Sequence, residues 1–286
     1  MSSPNVPLDE EIEANPTCIR VYWWIAHLLG VGCVIWVCRG LSQRSIIHIV
    51  FDVILTVLCA YLYHALSFGD PGFVPLPSPG MAEDGGASTK AHLREHKEDP
   101  MWCLKCGIER PIRSKHCKHC KRCVMRYDHH CGWLGRCVGQ YNHRRFWFLL
   151  ISETSLCVFT FGMCVVGIVG GVQSSAAWLA SNLYPVAMLP FLLVNGFFAL
   201  SLCVMHTGVI ATNTTSWEWL RRSKIPWFQH VPPEVAAPWS LGLCRNLRIF
   251  FWGDPRRLRY EAPTADQMKG KRASCCDECV SSCVAG

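Results

Sequence analysis

Between Cys103 and Cys137 the chain carries seven of its nineteen cysteines and four of its twelve histidines. Their spacing repeats. Cys103, Cys106, His116 and Cys123 read C-x2-C-x9-H-x6-C, and fourteen residues further on Cys117, Cys120, His130 and Cys137 read the same. Thiolate and imidazole suit tetrahedral zinc, and a C-x2-C pair puts two sulfurs on one turn, so each copy is expected to close a Cys3His site with no open position. Closed sites of this kind are structural. Two structural Zn2+ ions take six cysteines and two histidines, which leaves Cys131, His119 and His129 over.

Cys131 is the residue whose neighbours make it reactive. In Asp128-His129-His130-Cys131 a base stands two residues before a spare thiol, with a carboxylate beside that base. If the strip is extended, alternation puts His129 and Cys131 on one face and turns His130 toward the metal. A histidine within reach draws the proton from a thiol, and the thiolate is the nucleophile. Asp128 can then hold the imidazole in the useful tautomer. The plainer reading makes Cys131 a surplus ligand and His129 a solvated loop residue, yet the repeat accounts for every other cysteine of the stretch without it.

Residues 103 to 146 resemble the cysteine-rich domain of the DHHC protein S-acyltransferases. The resemblance is carried by the C-x2-C opening, Arg110-Pro111-Ile112-Arg113-Ser114-Lys115-His116-Cys117, Asp128-His129-His130-Cys131, Trp133, Cys137-Val138-Gly139, Asn142 and Phe146. It implies a palmitoyltransferase in which Cys131, with His129 as base and Asp128 orienting it, takes a long-chain acyl group from acyl-CoA and passes it to a cysteine of a protein substrate. Its partners would be acyl-CoA as co-substrate, membrane-associated proteins with cytosolic cysteines, and the lipid bilayer. Two positions depart from the family: Gly132 stands where proline is usual, and Gly135-Arg136 stands where asparagine usually precedes Cys137. Glycine after the nucleophile loosens the backbone, which bears on rate more than on reaction type. A rival from another class is a catalytically idle membrane scaffold that keeps its zinc sites and binds partner proteins.

The elements around this stretch are those of a membrane protein. Of 286 residues, 50% are hydrophobic and 17% charged, against about a quarter charged in soluble domains. Val21 to Cys38 and Ile46 to Phe68 read as the first two spans, Phe146 to Val172 as the third and Leu183 to Ala211 as the fourth, with residues 173 to 182 as a short uncharged loop. Tyr22, Trp23 and Trp24 mark one interface of the first span. The polar groups His48, Asp52 and His64 in the second span, and Glu153 in the third, are expected to face the bundle interior or to snorkel. Gly162, Gly167, Gly170 and Gly171 read as helix-packing positions.

The fold class expected is therefore all-α and polytopic: four transmembrane helices with a small cytosolic two-zinc domain between helices 2 and 3. Boundaries follow as a cytosolic tail 1–20, spans 21–68, a linker 69–102, the cysteine-rich domain 103–145, spans 146–211 and a cytosolic tail 212–286. Asp70-Pro71-Gly72 ends the second helix, and residues 74 to 98 are expected to be unstructured.

Orientation comes from charge. Residues 69 to 145 hold fourteen Lys and Arg and the stretch from Thr212 eleven, while the opposite connections hold Arg44 and, at the very end of the first span, Arg39. Positive-inside then places both termini in the cytosol, where thiolates stay reduced, and the resemblance suggests Golgi or endoplasmic reticulum membrane. The net charge of +7 is topological on this reading, so no nucleic-acid partner is expected.

Trp133 and Phe146 are expected at the mouth of an acyl-chain cavity and Leu156 near the chain's end. Thr215-Ser216-Trp217-Glu218 resembles the family's TTxE element, with Ser at its second position, and residues 241–247 a C-terminal element built on Asn246. Asn213-Thr214-Thr215 is then a chance glycosylation match. Cys275, Cys276, Cys279 and Cys283 follow a basic cluster and are either S-acylation sites or unmodified thiols.

Overall fold

A computed structural model describes residues 15–38, 45–76, 99–169, 175–229, 231–262 and 264. The N-terminal tail before residue 15, most of the linker and the terminal cysteine cluster lie outside the described residues. The described chain is mainly helical, with six strands of two or three residues. Helices α1 (Pro16–Cys38), α2 (Ser45–Phe68), α3 (His143–Val169) and α4 (Ser175–Ala211) are each long and apolar enough to cross a membrane. A span must satisfy its backbone hydrogen bonds internally, which is why these apolar runs become helices.

The helices start earlier than hydropathy alone suggests, α1 at Pro16 rather than Val21 and α2 one residue before Ile46. α3 begins at His143, because Asn142 accepts the backbone N–H of Phe146 and starts the first turn. α4 begins at Ser175, eight residues before Leu183, so most of the expected loop is helix. Ser175–Asn182 is uncharged and rich in alanine, a strong helix former, and the helix runs on through Pro185 and Pro190. Gly167 packs against α1, where an added Cβ would come within 2.7 Å of Val37; at Gly162 it would meet nothing within 4 Å, so Gly162 is not a packing position.

Between α2 and α3 lie three antiparallel ribbons: β1 (Trp102–Cys103) with β2 (Ile108–Glu109), β3 (Lys115–Cys117) with β4 (Arg122–Val124), and β5 (His129–Cys131) with β6 (Arg136–Val138). Asp70-Pro71-Gly72 docks against them. The Asp70 carboxylate accepts the N–H groups of Gly72 and Phe73, and the N–H groups of Met125 and Tyr141 donate to the carbonyls of Gly72 and Pro71. Gly139 is obligatory at this junction, since a Cβ there would sit 2.6 Å from Val124 and 2.7 Å from the Pro71 carbonyl. The stretch expected to be unstructured starts too early at residue 74: Val74 is buried and its N–H donates to the Cys123 carbonyl.

After α4 come α5 (Ser216–Arg221), two 3-10 turns and α6 (Leu243–Trp252). Asn246 ties this region to the bundle. Its side-chain N–H donates to Ala211 O and Ser240 Oγ, and its amide oxygen accepts the Leu241 N–H.

Candidate active site

The three ribbons are one unit repeated every fourteen residues. Cys103 pairs with Ile108, Cys117 with Arg122 and Cys131 with Arg136, and each turn carries a left-handed residue at the same place: Gly107, Lys121 and Gly135. Glycine accepts that conformation without strain, which accounts for Gly135. Each four-residue cluster joins the turn of one ribbon to the strands of the next. Cys103 and Cys106 meet the cross-strand pair His116 and Cys123, and Cys117 and Cys120 meet His130 and Cys137.

The donor atoms fit a tetrahedral ion. In the first cluster the His116 Nδ1 lies 3.4, 3.2 and 3.8 Å from the sulfurs of Cys103, Cys106 and Cys123; in the second, His130 Nδ1 lies 3.5 Å from Cys117, Cys120 and Cys137. Bonds of about 2.3 Å to sulfur and about 2.0 Å to nitrogen give tetrahedral edges of about 3.5–3.8 Å. Both clusters could therefore hold a metal ion.

The third turn breaks the pattern. Cys131 occupies the place of Cys103 and Cys117, but Leu134 stands where Cys106 and Cys120 stand, and among the described residues no fourth ribbon supplies a histidine and cysteine. Leu134 is buried with Cys131 in an apolar cluster that includes Tyr63 and Leu66 of α2 and Phe146, Leu149 and Leu150 of α3. The third copy exchanges a metal for contact with the membrane helices, and its sulfur stays unligated. At the adjoining Gly132 an added Cβ meets nothing within 4 Å, and nothing in the structure explains the glycine.

His129 Nδ1 donates to Asp128 Oδ2 at 2.8 Å, and the Cys131 sulfur is close enough to act on the same ring. Burial is the largest single influence on His129 and lowers its pKa, but Asp128 and Cys131 together outweigh it and push it up to about 10. Burial likewise opposes ionisation of Asp128, yet the hydrogen bond from His129 helps hold it well below the usual carboxylate range. An imidazole so raised is a strong acceptor for a thiol proton.

The helices that follow α4 build the floor under this pair. Ser216 donates its backbone N–H to Asp128 Oδ1 at 2.8 Å and its hydroxyl to Oδ2 at 2.7 Å. A threonine would supply the same hydroxyl, so the departure at this position keeps the contact. Thr215 and Glu218 form a capping box that starts α5. Glu218 also takes two hydrogen bonds at 2.7 Å from the fully buried Arg113, which stacks between Trp239 and Tyr260. Asn213, in the glycosylation match, is buried and accepts from Arg126.

Beneath Cys131 a cavity of about 170 Å3 runs between the four spanning helices, with Trp133, Phe146 and Leu156 in its walls. The Tyr63 hydroxyl donates to the Trp133 carbonyl at its mouth. Glu153 lines the cavity, bonded to Trp23 Nε1–H and His27 Nε2, and deeper in it Asp52 accepts from Thr160. Of these polar contacts, only the presence of Asp52 and Glu153 inside spans was legible beforehand; nothing in the sequence singled out His27.

A sequence model of the DHHC palmitoyltransferase family matches residues 96–223. Palmitoyltransferase ZDHHC12 of Homo sapiens is 32% identical over 200 residues, covering 68% of this chain and 70% of that one. The chain belongs to the DHHC palmitoyltransferase family. The Mus musculus ZDHHC12 is 33% identical, with 74% of its length covered. Protein S-acyltransferase 10 of Arabidopsis thaliana is 39% identical over 145 residues, but the chain spans only 41% of its length, and it spans 39% of a Dictyostelium discoideum relative. The family match thus covers the ribbons, α3, α4 and α5, while α1 and α2, which complete the cavity, lie before it.

Proposed function

We propose that this DHHC-family chain is a protein S-acyltransferase that moves a long-chain acyl group, palmitoyl among them, from acyl-CoA to protein cysteines by a ping-pong route. His129 takes the Cys131 thiol proton while Asp128 holds the ring. The sulfur attacks the acyl-CoA thioester carbon, the CoA sulfur leaves, and His129 returns the proton to it. A cysteine of a protein substrate then attacks the acyl-enzyme. Thioester is exchanged for thioester throughout, so little net energy is needed.

The observation that carries this reading is the position of Cys131: the unligated sulfur of the third ribbon, on the same strand as the Asp128-bonded His129 and opening on a largely apolar membrane cavity. Each methylene buried there contributes about 0.8 kcal/mol, so the chain anchors the donor. The two Cys3His clusters hold structural Zn2+, and they orient the ribbons without touching the reacting atoms. Both termini and the ribbons lie on the cytosolic side of a Golgi or endoplasmic reticulum membrane, where membrane-associated proteins present their cysteines.

Labelling the purified protein with an alkyne-bearing fatty acyl-CoA tests the reading. A hydroxylamine-sensitive label that disappears in Cys131→Ala is the expected result. No label above that control would leave the idle zinc scaffold as the better account.

A further inference from the structure

Two histidines that the proposed chemistry does not use stand beside the site: His143 in the first turn of α3 and His206 on α4, each 1% exposed. Their protons can be placed. Arg126 Nη1 lies 3.4 Å from His143 Nδ1, and a guanidinium can only donate, so that nitrogen carries no hydrogen. The His143 proton is then on Nε2, which donates to His206 Nδ1 at 3.0 Å. The proton of His206 is therefore on its own Nε2, and its remaining lone pair is already engaged.

His206 also touches the base. Its ring centroid is 5.8 Å from that of His129 and 4.9 Å from Phe146, and Phe146 is 5.4 Å from His129, which closes a triangle of rings. One atom each of Asp128, His143 and His206 lie within 4.8 Å of one another, a grouping that resembles a metal site. The lone pairs argue against a metal. Both Nδ1 atoms are taken, Arg126 brings a positive charge to the same place, and the Asp128 oxygens already accept from His129 and Ser216.

We infer that the His143–His206 pair positions the catalytic base, with His206 wedging the His129 ring against Phe146 and presenting it no free nitrogen that could accept a proton. The proton drawn from Cys131 then stays on His129 until the departing CoA sulfur takes it. Arg126 sets this state through His143, two contacts away from His129. The inference rests on the proposed acyl transfer at Cys131.

The test compares His143→Gln with His143→Leu in single-turnover acyl-enzyme formation with palmitoyl-CoA. A glutamine can accept from Arg126 and donate to His206, as His143 does, whereas leucine does neither. His143→Leu should slow the maximal rate about 10- to 100-fold, the scale of a small misplacement of a reacting group. The half-saturating acyl-CoA concentration should stay within about twofold, and His143→Gln should recover most of the rate. Metal content and gel filtration check that the variants are folded. If His143→Leu does not fold, His206→Phe, which keeps a ring beside His129, should exceed His206→Leu by about tenfold. Equal rates for the paired variants, or a loss confined to half-saturation, would overturn the inference. Label on the wild type that survives Cys131→Ala would instead overturn the functional reading, and this inference with it.

Discussion

Ser216, at the start of a six-residue helix beyond the fourth span, hydrogen-bonds both carboxylate oxygens of Asp128, 88 residues earlier in the chain. The hydroxyl bond is the part a substitution can remove. Ser216→Ala should slow acyl-enzyme formation about tenfold while both metals stay bound, because a charge-assisted hydrogen bond is worth about 1.5–3 kcal/mol and the backbone bond remains. Ser216→Thr should act as wild type. Equal rates for Ala and wild type would mean that Asp128 is held without the hydroxyl.

The two adjacent histidines have unlike tasks, and metal content separates them. His130→Ala should release one metal and destabilise the ribbons, since binding energy at a structural site is folding energy. His129→Ala should keep both metals and slow acylation about 10²–10⁴-fold, the usual loss of a general base. Raising the pH should partly rescue the His129 variant, because hydroxide can take the thiol proton, and should do nothing for His130→Ala. If the metal losses are reversed between the two, the ligand register proposed here is wrong.

The Asp128–His129 pair should also leave a pH signature in stability. His129 has a raised pKa, so its contribution is full below the ordinary histidine value of about 6.5 and fades as pH rises through about 10. Asp128 is lowered, so its contribution is full above about 3.9 and is lost as pH falls through its depressed value. The melting-temperature advantage of wild type over His129→Gln should therefore be largest between about pH 4 and 6.5 and shrink toward pH 10. An advantage that grows with rising pH contradicts the pair.

Glu218→Ala should be among the most damaging substitutions outside the metal ligands. It leaves the Arg113 guanidinium, 0% exposed, without its carboxylate. Breaking a buried pair in this way costs about 3–5 kcal/mol. Thermal or denaturant unfolding of the ribbons measures it, and a change below about 1 kcal/mol would class the pair with surface ion pairs.

Leu156 offers a handle on chain length. It is buried in the cavity wall ten residues below Phe146, about 15 Å along α3. Leu156→Trp should shorten the preferred acyl chain, read from acyl-enzyme formation across a series of acyl-CoA lengths. An unchanged profile would show that the chain ends elsewhere.

The sequence by itself determined the features that depend on local chemistry. The fourteen-residue offset partitioned eight ligands into two clusters and singled out Cys131, because metal ligation demands specific donors at short spacing. Hydropathy marked four spans, because lipid demands about twenty apolar residues in one run. What only the tertiary structure decided depends on side-chain direction and on contacts distant in sequence. The third ribbon could not be read as a repeat, because Leu134 and Arg136 carry no ligand signature and its kinship lies in strand register and backbone turn. The partners of Arg113 and Asp128 lie 105 and 88 residues away and carry no spacing rule. The early start of α4 was hidden because an alanine-rich segment without charges reads equally well as loop or as helix until the bundle packs around it. The His143–His206 pair was invisible for the same reason: two histidines 63 residues apart become neighbours only when α3 and α4 pack together.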